Sequence, residues 1–160
     1  MSKDDVEHVW REIGRIETCM MATHDGSALR ARPMVGSADR ASGTIWFVTN
    51  RSDKKDDELR RDPRVCLSYA DPSTNTFVSV SGEATLSTDR RTIEDHWNPA
   101  FDAWFEGGSA DPEALLIAVR PHTAEFWDNA SEELMAALDL LTATAKPPEP
   151  ALGDHCKVKM

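Results

Sequence analysis

The sequence predicts a mainly β protein, a small barrel of about six mostly antiparallel strands with helices packed outside it. Three observations lead to this prediction. The 160 residues suit one domain with a hydrophobic core of its own. Short apolar stretches alternate with turn residues through the middle of the chain. Helical periodicity is confined to about three or four segments beside those stretches.

The first element is predicted to be an amphipathic helix over residues 3–16. Apolar residues recur there at helical spacing: Val6, Val9, Ile13 and Ile16. Residues 18–23 and 29–35 are predicted to form a hairpin, because the Asp25-Gly26 pair between them supplies a turn. Within the second strand Pro33 has no N–H for a sheet ladder, so we expect it at a sheet edge or a bulge.

The next strand is predicted at residues 44–49, a stretch rich in β-branched and aromatic residues. A polar loop and a short helix that ends at Pro63 follow it. The remaining strands are expected over four ranges, with Pro121 dividing the last two: 64–70, 77–86, 115–120 and 123–127. Two more helical stretches are expected between these strands, one capped by Thr88 and running to about His96 and one from Pro99 to the Gly107-Gly108 pair.

A last helix is expected over about residues 131–144, followed by a proline-rich break and a tail over 146–160. A single domain over residues 1–145 therefore accounts for the predicted elements. Cys19, Cys66 and Cys156 are scattered and lack metal-ligand spacing, so we expect neither a disulfide framework nor a metal site.

Composition narrows the classes of partner. The net charge of −10 argues against a nucleic-acid or anionic-membrane binder, both of which need a positive face. No apolar run reaches the length of a membrane span, and the acidic N-terminus lacks the apolar region of a secretory signal. These features predict a cytoplasmic location.

Basic residues nevertheless concentrate in one region. Residues 18–64 hold nine Lys and Arg against seven Asp and Glu, a local excess of positive charge in an acidic chain. Arg30 and Arg32 lie two apart on a predicted strand and so share a face, where a planar guanidinium suits phosphate oxygens. Lys54 and Lys55 precede a short helix, a position favourable for a phosphate. The alternative is that all four are surface charges paired with neighbouring aspartates, namely Asp53, Asp56 and Asp57.

These residues form an ordered series that resembles the flavin-binding half of the pyridoxamine 5′-phosphate oxidase-like split barrels. The series consists of Asp25-Gly26, Arg30-Ala31-Arg32-Pro33-Met34, Trp46-Phe47-Val48-Thr49-Asn50 and Lys54-Lys55. Its continuation is similar to the general stress protein 26 branch, through Asp62-Pro63-Arg64-Val65, Trp97-Asn98-Pro99 and Glu125-Phe126-Trp127-Asp128. The resemblance covers residues from about 5 to 128.

The resemblance implies a six-stranded antiparallel Greek-key split barrel that binds FMN at a homodimer interface. Carried over by position, four residues would line the flavin along the second strand: Arg30, Arg32, Pro33 and Met34. Phe47, Val48 and Thr49 would offer backbone and hydroxyl contacts, and Lys54 and Lys55 would hold the phosphate. Trp127 would come from the partner subunit.

Two positions depart from the family's pattern. Asp53 stands where family members often carry a phosphate-binding Ser, so Ser52 is the candidate hydroxyl, and preference between FMN and FAD stays open. The C-terminal Arg-x-His motif that binds substrate in the full oxidases has no assigned counterpart, so oxidation of pyridoxamine phosphate is not expected.

Three functions follow from the resemblance. The first is an FMN-dependent oxidoreductase acting on a small redox substrate of unknown identity. The second is a non-catalytic protein that stores or senses flavin during stress, and the third is a split barrel that has lost its cofactor. The aromatic cluster of Trp97, Phe101, Trp104 and Phe105 either belongs to the core between a helix and the barrel or roofs the flavin pocket.

Overall fold

The barrel is built from six antiparallel strands whose neighbours pair in a closed circle, with a seventh strand added outside. A computed structural model describes residues 3–51, 55–128 and 154–160. The strands are β1 (Thr18–His24), β2 (Leu29–Asp39), β3 (Thr44–Asn50), β4 (Arg64–Asp71), β5 (Thr76–Ser87), β6 (Ala114–Asp128) and β7 (Asp154–Lys159). Their order is β3-β2-β1-β4-β5-β6-β7, and pairing of β3 with β6 closes the barrel. The expected six-stranded antiparallel split barrel is confirmed.

Helices lie outside the strands. They are α1 (Lys3–Ile16), α2 (Lys55–Arg61) and α3 (Arg90–Asp95), with short 3₁₀ turns at Pro99–Ala103 and Gly108–Ala110. The α1 bounds agree with the sequence prediction, and Val9 and Ile13 are buried on its inner face as the periodicity indicated. Among the described residues, no helix is both long and apolar enough to cross a bilayer.

Three local predictions were wrong. Asp89, not Thr88, caps α3, because its carboxylate accepts the Thr92 N–H at 2.9 Å. The segment from Pro99 forms a 3₁₀ turn of five residues instead of a longer helix. Residues 154–159, expected as part of a tail, form β7, whose Val158 is 1% exposed in the main core. The expected helix over 131–144 lies outside the described residues.

Strand β6 is one element of 15 residues, although Pro121 was expected to divide it in two. The sheet accommodates the proline through a register shift, since Ser81 pairs with Thr123 but Gly82 pairs with Pro121. His122 is thus the extra residue of a β-bulge, and its carbonyl accepts the N–H of Met160 at 2.9 Å. A bulge tolerates a residue without an N–H, so the strand continues through the proline.

Two apolar clusters stabilise this arrangement. The larger one fills the barrel and includes Met21, Phe47, Leu67 and Val80, each at most 1% exposed. The smaller one joins β3 and β6 to α3 and the 3₁₀ turn outside the barrel. Its buried members are Val48, Ile93, Phe101, Phe105, Ala114 and Leu116.

Candidate functional site

A cavity opens where strands β2 and β3 separate. They pair only from Gly36 with Phe47 to Asp39 with Thr44, while the preceding part of β2 pairs with β1. The last residues of β3 pair instead with β6. The diverging edges leave a space of about 440 Å³, called here the edge cavity. Its walls are Thr18, Pro33, Met34, Val35, Val48, Thr49, Asn50, Phe101, Trp104 and Phe105.

Four residues proposed from the sequence as flavin contacts line this cavity, namely Pro33, Met34, Val48 and Thr49. Pro33 lies opposite Met20 of β1, in the part of β2 that has no second strand beside it among the described residues. The prediction of an edge position for this proline is therefore confirmed, because a missing N–H costs nothing where no strand needs it.

The aromatic cluster belongs partly to the core, which is one of the two roles considered from the sequence, and three of its members line the edge cavity. Phe101 and Phe105 are 9% and 6% exposed and belong to the smaller core cluster, yet each also faces the edge cavity. Trp104 lies beside them at the cavity but is 70% exposed. The cavity thus has two packed aromatic walls and one aromatic side chain at its rim.

The two arginines of β2 are held by carboxylates, though not by those considered from the sequence. Arg30 Nε donates to Asp25 Oδ2 at 2.9 Å, and this bond holds the pKa of Asp25 below its ordinary range. Arg32 Nη2 donates to Glu58 Oε2 at 2.8 Å. Burial acts to raise the pKa of Glu58, but hydrogen bonds from Thr23 and Arg32 outweigh it and the pKa is lowered.

Arg32 has donor capacity that the described residues do not use. Its Nη1 atom is buried and makes no hydrogen bond within the part of the chain that the structure describes. Arg32 also lies two positions before Met34 on the same face of β2, about 7 Å along the strand from the edge cavity. An anionic group near this end of the cavity would complete the hydrogen bonding of the guanidinium.

The other proposed residues lie in different places. Phe47 is 1% exposed and points into the barrel, so its side chain does not line the cavity. Lys55 is the first residue of α2, while Ser52 and Lys54, like Asp53, lie outside the described residues. Trp127 pairs with Phe77 and His155 near the far end of β6.

Trp127 is not among the residues that line the edge cavity. Along β6 it lies twelve positions, or about 40 Å of strand, from Leu115, which pairs with Thr49 at the cavity. Because β6 curves around the barrel, the separation across the strands is shorter. The neighbouring residue Phe126 lies only three strand spacings, about 15 Å, from Cys19 of β1, next to the cavity.

Sequence reasoning missed several members of the site. Thr18 and Val35 line the cavity and pair with each other across β1 and β2, a register that follows from the hairpin turn. Asn50 lies at the end of β3, where the strand leaves β2. Glu58 could not be found in this way, because only the tertiary fold brings α2 against Arg32.

Comparison with known proteins gives a consistent set of matches. Residues 4–150 match the family described as "Pyridoxamine 5'-phosphate oxidase like". Protein bli-3 of Neurospora crassa is 34% identical over 118 residues, which cover 67% of this chain but only 56% of that protein. The chain thus spans little more than half the length of this relative.

Solved structures are similar over most of the chain. The general stress FMN/FAD binding protein from Xanthomonas citri is 29% identical, with a TM-score of 0.72 over 81% of this chain and 92% of that one. A general stress protein 26 from Jannaschia sp. CCS1 has the same TM-score at 23% identity and covers 98% of both chains. At 23% identity, the similarity to the Jannaschia protein shows the fold alone.

Proposed function

Since this chain belongs to the pyridoxamine 5′-phosphate oxidase-like family, we propose that it binds FMN and acts as a flavin-dependent oxidoreductase on a small redox substrate. The observation that carries the proposal is the edge cavity, where residues of β2 and β3 that resemble the family's flavin-binding motif line one space. A similar general stress protein is described as binding FMN or FAD, which supports the choice of cofactor class.

The residues present fit a flavin. Pro33, Met34 and Val48 give apolar walls for a flat ring, and the hydroxyl and backbone of Thr49 give polar contacts. The unpartnered Nη1 of Arg32 is a donor suited to the phosphate end or the polar edge of the ring. We further assign Arg30, the backbone of Phe47 and Val48, and the phosphate contacts of Ser52, Lys54 and Lys55 from the family motif. Bound FMN would supply one- and two-electron redox chemistry.

The protein's own residues would position the flavin and shield it. Glu58 fixes the Arg32 guanidinium before any ligand arrives, so little side-chain entropy is lost on binding. Phe101 and Phe105 are immobilised by the smaller core cluster and exclude water from one side of the cavity. Orientation and shielding, rather than proton transfer by a named side chain, are the contributions that this geometry supports.

We also propose that the chain works as a homodimer with the flavin at the subunit interface. Trp127 does not line the edge cavity of its own chain, so we assign its flavin contact to the partner subunit, as the family motif implies. The β2 and β1 face also leaves large apolar side chains exposed: Met20 at 42%, Val35 at 38% and Leu29 at 77%. An exposed apolar face of this kind is typical of a surface that an oligomer partner covers. The three free cysteines suit the cytoplasm as the location.

One observation favours a barrel without cofactor as the alternative. Arg30 and Arg32 each already hold a carboxylate, so the positive charge predicted from the sequence is partly neutralised. A non-catalytic flavin store or sensor remains the second alternative, because the edge cavity would position a flavin without requiring turnover.

Flavin titration separates these possibilities. The purified protein is titrated with FMN, FAD, riboflavin and haem, following flavin fluorescence where it applies and absorbance otherwise. We expect saturable FMN binding that the double change Arg32→Ala and Lys55→Ala weakens at least about 100-fold, because hydrogen bonds to charged groups contribute about 1.5–3 kcal/mol each. Arg40→Ala is the matched control, since Arg40 is held by Glu7 through Nη2 at 2.7 Å, away from the cavity.

The outcomes are distinct. Riboflavin, which has no phosphate, should lose much less affinity than FMN in the double variant. Absence of flavin binding to the unmodified protein would support the barrel without cofactor, and equal FMN affinity in all three proteins would refute the assigned contacts. If FMN binds but no reductant or acceptor changes its redox state, the storage or sensing role is favoured.

A further inference from the structure

Trp104 differs from every other Trp, Phe or Tyr that the structure describes, because its side chain is exposed. The exposed fraction is 70%, although the side chain lies at the edge cavity beside the buried Phe101 and Phe105. An exposed indole face beside an apolar cavity is a surface that a flat ring would cover on binding. The indole is accessible to such a ligand without any rearrangement of the fold.

The segment that carries Trp104 is fixed. The N–H of Trp104 donates to Phe101 O at 2.9 Å, and the N–H of Phe105 donates to the same carbonyl at 3.2 Å. Trp97 meets the rings of Phe101 and Phe105 edge to face, with centroids 5.6 Å and 5.5 Å apart. The position of Trp104 at the edge cavity is therefore set before any ligand arrives, which lowers the entropy cost of binding.

The walls of the edge cavity come from two regions of opposite charge. The walls on β1, β2 and β3, which include the proposed flavin contacts, belong to residues 18–64, where Lys and Arg exceed Asp and Glu. The remaining wall, called here the aromatic wall, consists of Phe101, Trp104 and Phe105. It belongs to residues 92–119, which hold six Asp and Glu and no Lys or Arg. A phosphate is thus favoured at the strands and disfavoured at the aromatic wall.

Two carboxylates lie close to Trp104. Asp102 and Glu106 are exposed and two positions away on either side, so their Cα atoms are within about 8 Å of the Trp104 Cα. Asp102 Oδ1 accepts the Nε1–H of Trp97 at 2.9 Å. Arg90 contacts the same segment farther along the chain, through two backbone carbonyls. An anion at Trp104 would be repelled by the two carboxylates, whereas a cation would be attracted to them and to the indole face.

We infer that the aromatic wall binds the redox substrate and that this substrate is a flat aromatic compound without negative charge. The inference rests on the proposed function, in which the flavin takes the strand walls and leaves the aromatic wall to the substrate. Phosphorylated and carboxylated compounds are excluded from this class, whereas neutral quinones and aromatic amines belong to it. Trp104 is then the residue that determines which substrates bind.

Nuclear magnetic resonance of ¹⁵N-labelled full-length protein, without FMN and with saturating FMN, tests the inference. The probes share one ring system and differ in charge: naphthalenemethanol is neutral, naphthalenemethylammonium is cationic and naphthoate is anionic. We expect naphthalenemethanol to shift the Trp104 indole signal in a saturable way in both forms of the protein.

The affinities of the three probes should follow their charge. At low salt the cation should bind about fivefold more tightly than the neutral compound and the anion about fivefold more weakly, because each carboxylate at about 8 Å contributes a factor of about two. In about 1 M salt, where the Debye length is about 3 Å, the three affinities should converge.

Variants locate the site, with binding measured on backbone amides of residues 101–106. Trp104→Ala should weaken binding of naphthalenemethanol at least about threefold through lost stacking, and Trp104→Phe should restore most of it. Glu106→Gln should reduce the ratio of cation to anion affinity about fourfold. Leu29→Ala is the matched control, because Leu29 is 77% exposed and is not among the residues that line the edge cavity.

The outcomes separate this inference from the proposed function. Equal affinities for the three probes at low salt, or unchanged binding in Trp104→Ala, would overturn the inference. Displacement of FMN by naphthalenemethanol would also overturn it, since the aromatic wall would then belong to the flavin. If the protein binds no FMN, the proposed function fails by itself, and the charge order and the Trp104 dependence in the flavin-free protein uphold or overturn the ring site.

Discussion

Gly36 is the residue at which β2 passes from β1 to β3, and replacing it by alanine should destabilise the protein. A Cβ atom placed on Gly36 would lie 2.6 Å from Cε1, 2.9 Å from Cζ and 3.2 Å from Cδ1 of Phe47. Phe47 is 1% exposed in the main core, so its ring cannot shift without displacing packed neighbours. The conflict is steric, between a new methyl group and a fixed ring.

The expected size of the effect follows from two opposing contributions. Overpacking of a filled core costs about 1–3 kcal/mol. Replacing Gly by Ala also lowers the entropy of the unfolded chain, which offsets about 0.4–1 kcal/mol of that cost. We therefore expect the free energy of unfolding of Gly36→Ala to fall by about 1–2 kcal/mol, and the melting temperature to fall by about 2–8 °C.

Urea unfolding followed by circular dichroism measures this change, and Gly14→Ala is the matched control. Gly14 lies in α1, where an added Cβ would meet only the Ala38 Cβ at 3.9 Å. Because Ala is the better helix former, this control should gain about 0.5–1 kcal/mol. Adding Phe47→Leu to Gly36→Ala should cost less than the sum of the two single changes, since the shortened side chain removes the ring atoms in conflict. A Gly36→Ala protein as stable as Gly14→Ala would refute the reasoning.

Three more predictions concern single side chains. In thermal unfolding, Phe105→Ala should lower the free energy of unfolding by about 3–5 kcal/mol. Trp104→Ala should change it by no more than about 0.5 kcal/mol, because the Trp104 side chain is 70% exposed. A larger loss at Trp104 would mean that this side chain is buried in an assembly. Burial raises the pKa of the Cys19 thiol to about 12, so a thiol reagent at pH 8 should modify the other two cysteines and leave Cys19 unmodified in the folded protein, as mass spectrometry of proteolytic fragments would show. A hydrogen bond from Arg64 lowers the pKa of Asp62 to about 2. The stability that this carboxylate contributes is therefore present above pH 4 and is lost as the pH falls through 2. Asp62→Asn should flatten the pH dependence of the free energy of unfolding in that interval, and an unchanged profile would contradict the assignment.

The parts of the fold that could be predicted are those with a strong local pattern. The α1 helix shows helical spacing of apolar residues, and β3 is rich in β-branched and aromatic residues. Both elements and their buried sides could therefore be predicted from the local sequence alone. In β6 the local signal of Pro121 was misleading, because the bulge opposite Gly82 accommodates it. That accommodation depends on a neighbouring strand, which no local pattern reveals.

Strand β7 illustrates the same limit. Only Cys156 and Val158 give it an apolar alternation, and its strand conformation comes from pairing with β6 along six residues. The candidate site likewise contains residues that the sequence predicted and residues that only the tertiary fold brings in. The order of residues on β2 and β3 predicted the cavity members Pro33 and Val48, whereas the carboxylate of Glu58 beside Arg32 required the packing of α2 against the sheet.

The pairing of β7 with β6 also bears on how the protein should be handled. Residues 123–128 of β6 would become an open sheet edge if residues 154–160 were deleted, and open edges recruit strands from other molecules. The same deletion would remove Val158 from the core and the N–H of Met160 from the His122 carbonyl. Removal of these residues to aid crystallisation should therefore produce aggregation instead of a more compact domain.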